Sequence, residues 1–153
     1  MANEYISPTE ILAYAAGIID SDGSISIVKF KSSDFRKGYG YSLYVRVKNT
    51  DITIMEWLKK HFKGSFCQSN KQTKKWKVAY AWSITSQKAL TFLKNILPYL
   101  IIKKERAEIA IKFQSSKESG RNWLFNPKTK DELMGENNYY QEIRILNRRG
   151  SNG

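Results

Sequence analysis

The chain has 153 residues, 41% of them hydrophobic, and its 26 basic and 14 acidic residues give a formal net charge of +12. This length allows one compact domain, and the charge favours a polyanionic partner such as nucleic acid. Because Cys67 is the only cysteine and His61 the only histidine, an intramolecular disulfide and a zinc site with two thiolates are excluded and a nucleophilic triad is unsupported. The N-terminal region shows no signal-peptide pattern and no membrane span, so we expect an intracellular protein in the cytoplasm, the nucleoid or an organelle.

A helix start is predicted at Ser7-Pro8-Thr9-Glu10, which combines a hydroxyl N-cap, a proline at the first helical position and a glutamate three residues after the cap. The helix should run from about Pro8 to Asp20. Small residues and one acid share a stripe along which a second helix could approach closely: Ala13, Ala16, Gly17 and Asp20. Gly17 costs about 1 kcal/mol inside a helix, and a close approach would compensate for that cost.

Two acids, Asp20 and Asp22, stand at the C-terminal end of this helix, where the macrodipole is negative. An ordinary amphipathic helix with solvated aspartates is one interpretation. The unfavourable position favours a second interpretation, in which a bound metal ion supplies the compensating cation. Gly23 can then turn the chain into a strand.

A long β-hairpin is predicted next, from Gly23 to about Ser32 and from about Tyr39 to Asn49. In its second strand one set of alternating residues faces the core, namely Leu43, Val45 and Val47. The other set faces outward, namely Ser42, Tyr44, Arg46 and Lys48. A helix then begins at a cap among Asn49, Thr50 and Asp51, ends at Gly64 and buries Ile54, Trp57, Leu58 and Phe62.

A second hairpin is predicted around a turn from Asn70 to Lys75, with Trp76 and Trp82 as core residues on its second strand. Ser86 then caps a helix that buries Ala89, Leu90, Leu93 and Ile96 and that Pro98 ends. The order αββαββα predicts an α+β domain with an antiparallel sheet. A final helix is predicted from Leu133, Tyr140, Ile143 and Leu146, so we expect one domain at residues 1–149 and a disordered tail at residues 150–153.

The outward face of the two hairpins is polar and basic. One interpretation is an ordinary solvated face of an antiparallel sheet. Arg46, Lys48, Lys75 and Lys77 favour instead a surface for duplex DNA, because a two-stranded β-ribbon fits the major groove and can read base edges there.

The run AAGIIDSDG at positions 15–23 resembles the LAGLIDADG motif of homing endonucleases and related intron maturases. It agrees with the motif at the second to fifth positions and at Asp20, Asp22 and Gly23, and it departs at Ala15 and Ser21. The apolar segment that leads into Lys103 also resembles the family, in which such a lysine reaches the active site. The resemblance covers about residues 7–113.

This resemblance implies a curved antiparallel sheet that forms a saddle on DNA, with the motif helix at a dimer interface. It also implies a homodimer, because the chain has one motif, and a long, near-palindromic DNA target. The helix contacts would come from Ala13, Ala16, Gly17 and Asp20. The DNA contacts would come from Ser32, Ser42, Tyr44, Arg46, Lys48, Gln68, Asn70, Lys75 and Lys77.

The chemistry that the resemblance implies is Mg²⁺-dependent hydrolysis of both DNA strands. Asp22 and the backbone carbonyl of Ser21 would hold the metal, and Lys103 would offset charge on the phosphate. Asn49 stands where many relatives place a glutamine that orders water, and a helix-capping role competes for it. The alternative function on the same scaffold is a maturase-like RNA-splicing cofactor or a DNA-binding regulator that does not cut.

Overall fold

The computed structural model describes residues 7–31, 39–117 and 128–151. In chain order it contains α1 (Pro8–Asp22), β1 (Gly23–Lys31), β2 (Tyr39–Asn49), α2 (Ile52–Phe62), β3 (Ser65–Gln68), β4 (Tyr80–Thr85), α3 (Ser86–Ile96), a short 3-10 helix (Leu97–Tyr99), α4 (Lys104–Ser115) and α5 (Lys130–Ser151). The predicted order αββαββα is confirmed, and two further helices follow it. Within the described ranges, no helix has the length and apolar character needed to cross a membrane.

The first helix begins as its cap predicts. The Ser7 hydroxyl accepts a hydrogen bond from the Glu10 N–H (3.2 Å), and the Glu10 carboxylate accepts one from the Ser7 N–H (2.9 Å). The helix ends at Asp22, two residues later than predicted. Gly23 does not use a glycine-specific backbone conformation, since its φ is −86°. A Cβ at Gly23 would instead lie 2.6 Å from the Ile19 Cα, so close packing explains the glycine.

The four strands form one antiparallel sheet in the order β1-β2-β4-β3. Gly23 of β1 pairs with Val47 of β2, Asn49 of β2 pairs with Tyr80 of β4, and Tyr80 pairs with Gln68 of β3. This register brings the start of β1, the ends of β2 and β3 and the start of β4 to one end of the sheet, called here the Asn49 end. Because α1 continues directly into β1, the C-terminus of α1 lies at the Asn49 end.

The helices pack on one face of the sheet. On β2 the predicted core residues Leu43, Val45 and Val47 are fully buried, and the alternate residues form the outer face. The core also takes side chains from the helices, among them Ile19, Leu58, Phe92, Leu93, Ala107, Phe113 and Ile143. The outer face of β2 therefore remains available for a partner, as the alternation predicts.

In α2 the cap is Asp51, whose carboxylate accepts from the Thr53 N–H (2.9 Å). Leu58 is buried as predicted, and Met55 is the second fully buried residue of the helix. The other three predicted residues are partly buried against the core, namely Ile54, Trp57 and Phe62.

The second hairpin is shorter than predicted, because β4 begins only at Tyr80. Trp82 is buried as predicted, and its indole N–H donates to the Lys63 carbonyl (2.6 Å). Trp76 was predicted to be a core residue, but 68% of it is exposed. The prediction is wrong because Trp76 precedes β4, so alternation with its neighbours does not place it on a sheet face.

Two boundaries at helix ends also differ from the prediction. The N-cap of α3 is Thr85, and Ser86 is already the first helical residue, with a positive φ of 53°. The last helix, α5, continues to Ser151 rather than giving way to a disordered tail at residue 150. Residues 152–153 and Ser32, a predicted DNA contact, lie outside the described residues.

Candidate active site and nucleic-acid interface

The Asp22 carboxylate lies exposed at the end of α1 and is held by a side chain from β2. The Asn49 Nδ2 donates to Asp22 Oδ2 (2.8 Å), and the Asn49 Oδ1 accepts from the Asp51 N–H (2.8 Å). The side-chain cap of α2 is Asp51, and a role of Asn49 in ordering water stays a prediction. Its amide lies on the acid of the motif and orients it.

The Lys103 ammonium lies against the C-terminal turn of α1. Its Nζ donates to the backbone carbonyls of Ile19 (2.8 Å), Asp20 (3.1 Å) and Gly23 (2.5 Å). A cation stabilises the negative end of a helix dipole. Lys103 therefore supplies, from this chain itself, a cation at the end of α1 where a bound metal ion was expected from the sequence.

Two opposing effects act on the Lys103 ammonium. Burial lowers the pKa of Lys103, and the nearby Arg106 guanidinium lowers it further. The Asp20 and Asp22 carboxylates act in the opposite direction. This lysine is thus partly desolvated and lies within the electrostatic field of both acids of the motif.

Asp20 was predicted at the helix interface, but its carboxylate is used within the chain. Its Oδ1 accepts from the Lys103 N–H (2.9 Å), and its Oδ2 accepts from the Ile101 N–H (2.8 Å). Asp20 thereby ties the segment before α4 to the end of α1. Asp20 therefore fixes the segment that carries the Lys103 ammonium, and its place at a dimer interface stays a prediction.

The small-residue stripe divides into two parts. Ala16 was predicted at the dimer interface, but it is fully buried in the core of its own chain, so a second chain finds no surface there. Ala13 and Gly17 are exposed, and a Cβ added at Gly17 would meet nothing within 4 Å. The close approach expected at Gly17 is therefore not made within the chain.

Three exposed apolar residues beside this stripe were missed by the sequence interpretation. Tyr14 is 57% exposed, Ile101 is 85% exposed and Ile102 is 71% exposed. The Asp20–Ile101 hydrogen bond places the two isoleucines next to the end of α1. For the two isoleucines the sequence did offer a signal. They lie between Pro98, which ends a helix, and Lys103, so no helical or strand periodicity assigns them to a buried face.

The oxygen atoms around Asp22 fit a hard divalent cation. The Lys103 ammonium donates to the carbonyls of Ile19, Asp20 and Gly23 but not to that of Ser21, which is left for a metal ion. Among the residues that the structure describes, no three His, Cys, Asp or Glu side chains form a metal cluster. Mg²⁺ usually takes only one or two protein carboxylates and keeps several waters, so one acid with one carbonyl per chain suits it.

The predicted DNA contacts fall into two groups. The first group lies on the outer face of β2 as predicted, with Tyr44, Arg46 and Lys48 exposed and Ser42 partly exposed. The second group belongs to residues 69–79, called here the lysine loop. Lys75 and Lys77 are exposed there but lie in the loop rather than on a strand.

Gln68 and Asn70 have structural roles that the sequence did not indicate. The Gln68 Nε2 donates to the Asn70 carbonyl (2.7 Å), while Asn70 uses both ends of its amide within the lysine loop. A bidentate pairing of Asn70 with adenine would require these bonds to break. Without DNA, the Asn70 amide is engaged within the lysine loop, and its contact with a base stays a prediction.

The comparisons with known proteins agree with this geometry. The model of the LAGLIDADG endonuclease family matches residues 15–120. Comparison with curated protein sequences finds no match.

Among solved structures, the chain is similar to the homing endonuclease I-CvuI in complex with its target in the presence of calcium. The two are 20% identical, the match covers 90% of this chain and 82% of that one, and the TM-score is 0.73. The archaeal intron-encoded homing endonuclease I-Vdi141I complexed with DNA gives 17% identity, 88% and 82% coverage and a TM-score of 0.71. The homing endonuclease I-TnaI gives 18% identity, 90% and 93% coverage and a TM-score of 0.65. These likenesses show a shared fold. Because the family model spans more than half of the chain and includes the site at the end of α1, this protein belongs to the LAGLIDADG endonuclease family.

Proposed function

We propose that this DNA endonuclease is a homing-type enzyme, a homodimer that cuts both strands of a long, near-palindromic DNA site with Mg²⁺. The observation that carries the proposal is the meeting of Asp22, Asn49 and Lys103 at the end of α1. Three separate segments of the chain supply these residues, and direct hydrogen bonds hold each of them in place.

Asp22 and the Ser21 carbonyl would hold the metal ion. When bound, such an ion lowers the pKa of the attacking water and stabilises the leaving 3′ oxygen. The Asn49 amide fixes one oxygen of the Asp22 carboxylate, so the ligand is oriented before any ion or DNA arrives.

Lys103 would act on the phosphate as a positive charge. An ammonium group has three donors, and three backbone carbonyls already accept from this one. A hydrogen bond from Lys103 to a phosphate would therefore displace a bond to α1. A fixed charge in a partly desolvated site stabilises the developing negative charge without such a rearrangement.

The outer face of β2 supplies the DNA surface. Arg46 and Lys48 are exposed there, and arginine can pair with guanine through two hydrogen bonds in the major groove. Contacts from such side chains to phosphates add affinity that does not depend on sequence. The net charge of +12 is in keeping with this partner.

The dimer is supported by the apolar surface beside the site. Ala13 and Gly17 are exposed on α1, and Tyr14, Ile101 and Ile102 are exposed beside them. Two copies that pack through this surface would place their Asp22 residues near one another, as cleavage of two strands requires. A symmetric dimer in turn reads two related half-sites.

Replacing Ile101 and Ile102 together by aspartate should weaken the dimer by at least about a hundredfold, because full burial of each isoleucine contributes about 1.5–3 kcal/mol. Sedimentation equilibrium measures the change directly. Met134→Asp is the matched control, since Met134 is also an exposed apolar residue but lies on α5. A double variant that dimerises like the control would contradict this interface.

The function is tested by selection from a random duplex library. Bound duplexes are enriched in Ca²⁺, Mg²⁺ is then added, and the new DNA ends are sequenced. Paired cuts about a near-palindrome support the proposal. Specific binding without cuts would overturn it in favour of a regulator, and binding only to structured RNA would overturn it in favour of a maturase-like cofactor.

A further inference from the structure

The lysine loop has a fixed shape although it belongs to no strand. Its two ends meet through the Ser69 N–H, which donates to the Ala79 carbonyl (2.8 Å). The Asn70 side chain adds two bonds across the loop, because its Oδ1 accepts from the Ala79 N–H (2.5 Å) and its Nδ2 donates to the Lys77 carbonyl (3.1 Å). Asn70 thus takes the place of backbone pairing at the neck of the loop.

The tip of the loop is closed by a second set of bonds. Thr73 and Trp76 exchange backbone hydrogen bonds of 3.2 and 3.3 Å, and the Trp76 N–H also donates to the Thr73 hydroxyl (3.1 Å). Only Lys74 and Lys75 lie between the paired residues. The lysine loop is therefore a narrow, hairpin-like loop, called here the ribbon although it contains no strand, with Trp76 directly after its turn.

This ribbon presents an apolar ring within a positive surface. Residues 71–77 are all exposed, and they include four lysines and no acid. Trp76 is 68% exposed, whereas Trp82 is fully buried and Trp57 is partly buried. Trp76 is therefore not part of the core, and the lysines around it favour binding to a polyanion.

The register of the sheet fixes where the ribbon reaches DNA. The loop connects Gln68 to Tyr80, and both residues lie at the Asn49 end of the sheet. Asp22 lies at the same end, because Gly23 begins β1 there. Base pairs that the ribbon contacts are therefore the ones close to the scissile phosphates.

We propose that Trp76 determines specificity by packing against the C5-methyl group of a thymine in the major groove, in the part of each half-site next to the cut. The major groove admits an element as wide as a two-stranded β-ribbon, and the thymine methyl is the apolar group that a base edge offers there. The lysines would bind phosphates and give affinity without sequence information. This inference rests on the proposed DNA cleavage and adds a base preference to it.

The test compares thymine with deoxyuridine, which lacks only the methyl group. Starting from the selected target, each thymine near the cut is replaced in both half-sites, and the dissociation constant is measured in Ca²⁺. One position should lose about fourfold in affinity per half-site, or about 15-fold for both, as expected for burial of one methyl group each. Trp76→Ala should bind the thymine and deoxyuridine duplexes equally.

Lys75→Ala is the matched control, because it should weaken both duplexes by the same factor. Selection of bound duplexes in Ca²⁺ with Trp76→Ala should also lose the thymine from the consensus. Deoxyuridine sensitivity that survives in Trp76→Ala, or its absence at every position, would overturn the inference. These readouts use binding and consensus, so a failure here is distinguishable from a failure to cut DNA.

Asn70 provides a further check on the shape of the ribbon. Asn70→Ala removes both side-chain bonds across the neck while leaving the Ser69–Ala79 backbone bond, Trp76 and all four lysines in place. If a fixed tip is needed for the methyl contact, this variant should reduce the deoxyuridine effect, because an unfixed loop pays ordering entropy on binding. An undiminished deoxyuridine effect would overturn the requirement for the two Asn70 side-chain bonds.

Discussion

Asp22→Asn should abolish Mg²⁺-dependent cleavage while leaving DNA affinity similar or higher. The substitution keeps the shape of the side chain, and its amide oxygen can still accept from Asn49. It removes the charged oxygen that would bind the metal, and it also removes one negative charge next to the phosphate. We expect cleavage to fall by about a hundred- to a thousandfold or more, the order lost with an important electrostatic group in an active site.

The measurement is single-turnover cleavage of the selected duplex in Mg²⁺, with affinity determined separately in Ca²⁺. Asp51→Asn is the matched control, because it makes the same chemical change one hydrogen bond away from Asn49. Asparagine is a good N-cap, so α2 should remain intact and cleavage should continue. Cleavage by Asp22→Asn within tenfold of the unchanged protein would refute Asp22 as the metal ligand.

Much of the fold could be predicted from local signals. The capping box at Ser7 and Glu10 and the alternation along β2 both correspond to what the structure shows. Such signals work because a cap bond or a buried face acts on residues that are close in sequence. The alternation around Trp76 resembles a strand equally well, but periodicity does not say whether another strand pairs with it.

The organisation of the site was harder to predict because its contacts join distant segments. The sequence proposed Asp22, Asn49 and Lys103 as site residues, yet it did not show that Asn49 orients Asp22. Nor did it show that Asp20 binds the segment before α4, which is more than eighty residues away. Helical spacing groups Asp20 with Ala16, whereas the tertiary fold gives the carboxylate a partner within the chain.

The role of Asp20 leads to the second large effect. Lys103→Met removes the charge and should reduce single-turnover cleavage by about a hundred- to a thousandfold. Asp20→Asn should reduce it less, by about ten- to a hundredfold, because an amide has one acceptor for two N–H groups and turns its own donor toward the other. Both values are measured at saturating enzyme, so that a change in DNA affinity does not contribute.

The double variant decides whether Asp20 acts through Lys103. If Asp20 only positions that ammonium, adding Asp20→Asn to Lys103→Met should slow cleavage no further, since the group to be positioned is already gone. If the two losses multiply, Asp20 contributes independently and the positioning role is wrong.

Thermal unfolding distinguishes a loss of positioning from a loss of folded protein. Both single variants lose hydrogen bonds at the end of α1 and should unfold at lower temperature. A loss of stability lowers cleavage only by lowering the fraction of folded enzyme. Cleavage rates are therefore compared at a temperature where all variants remain folded.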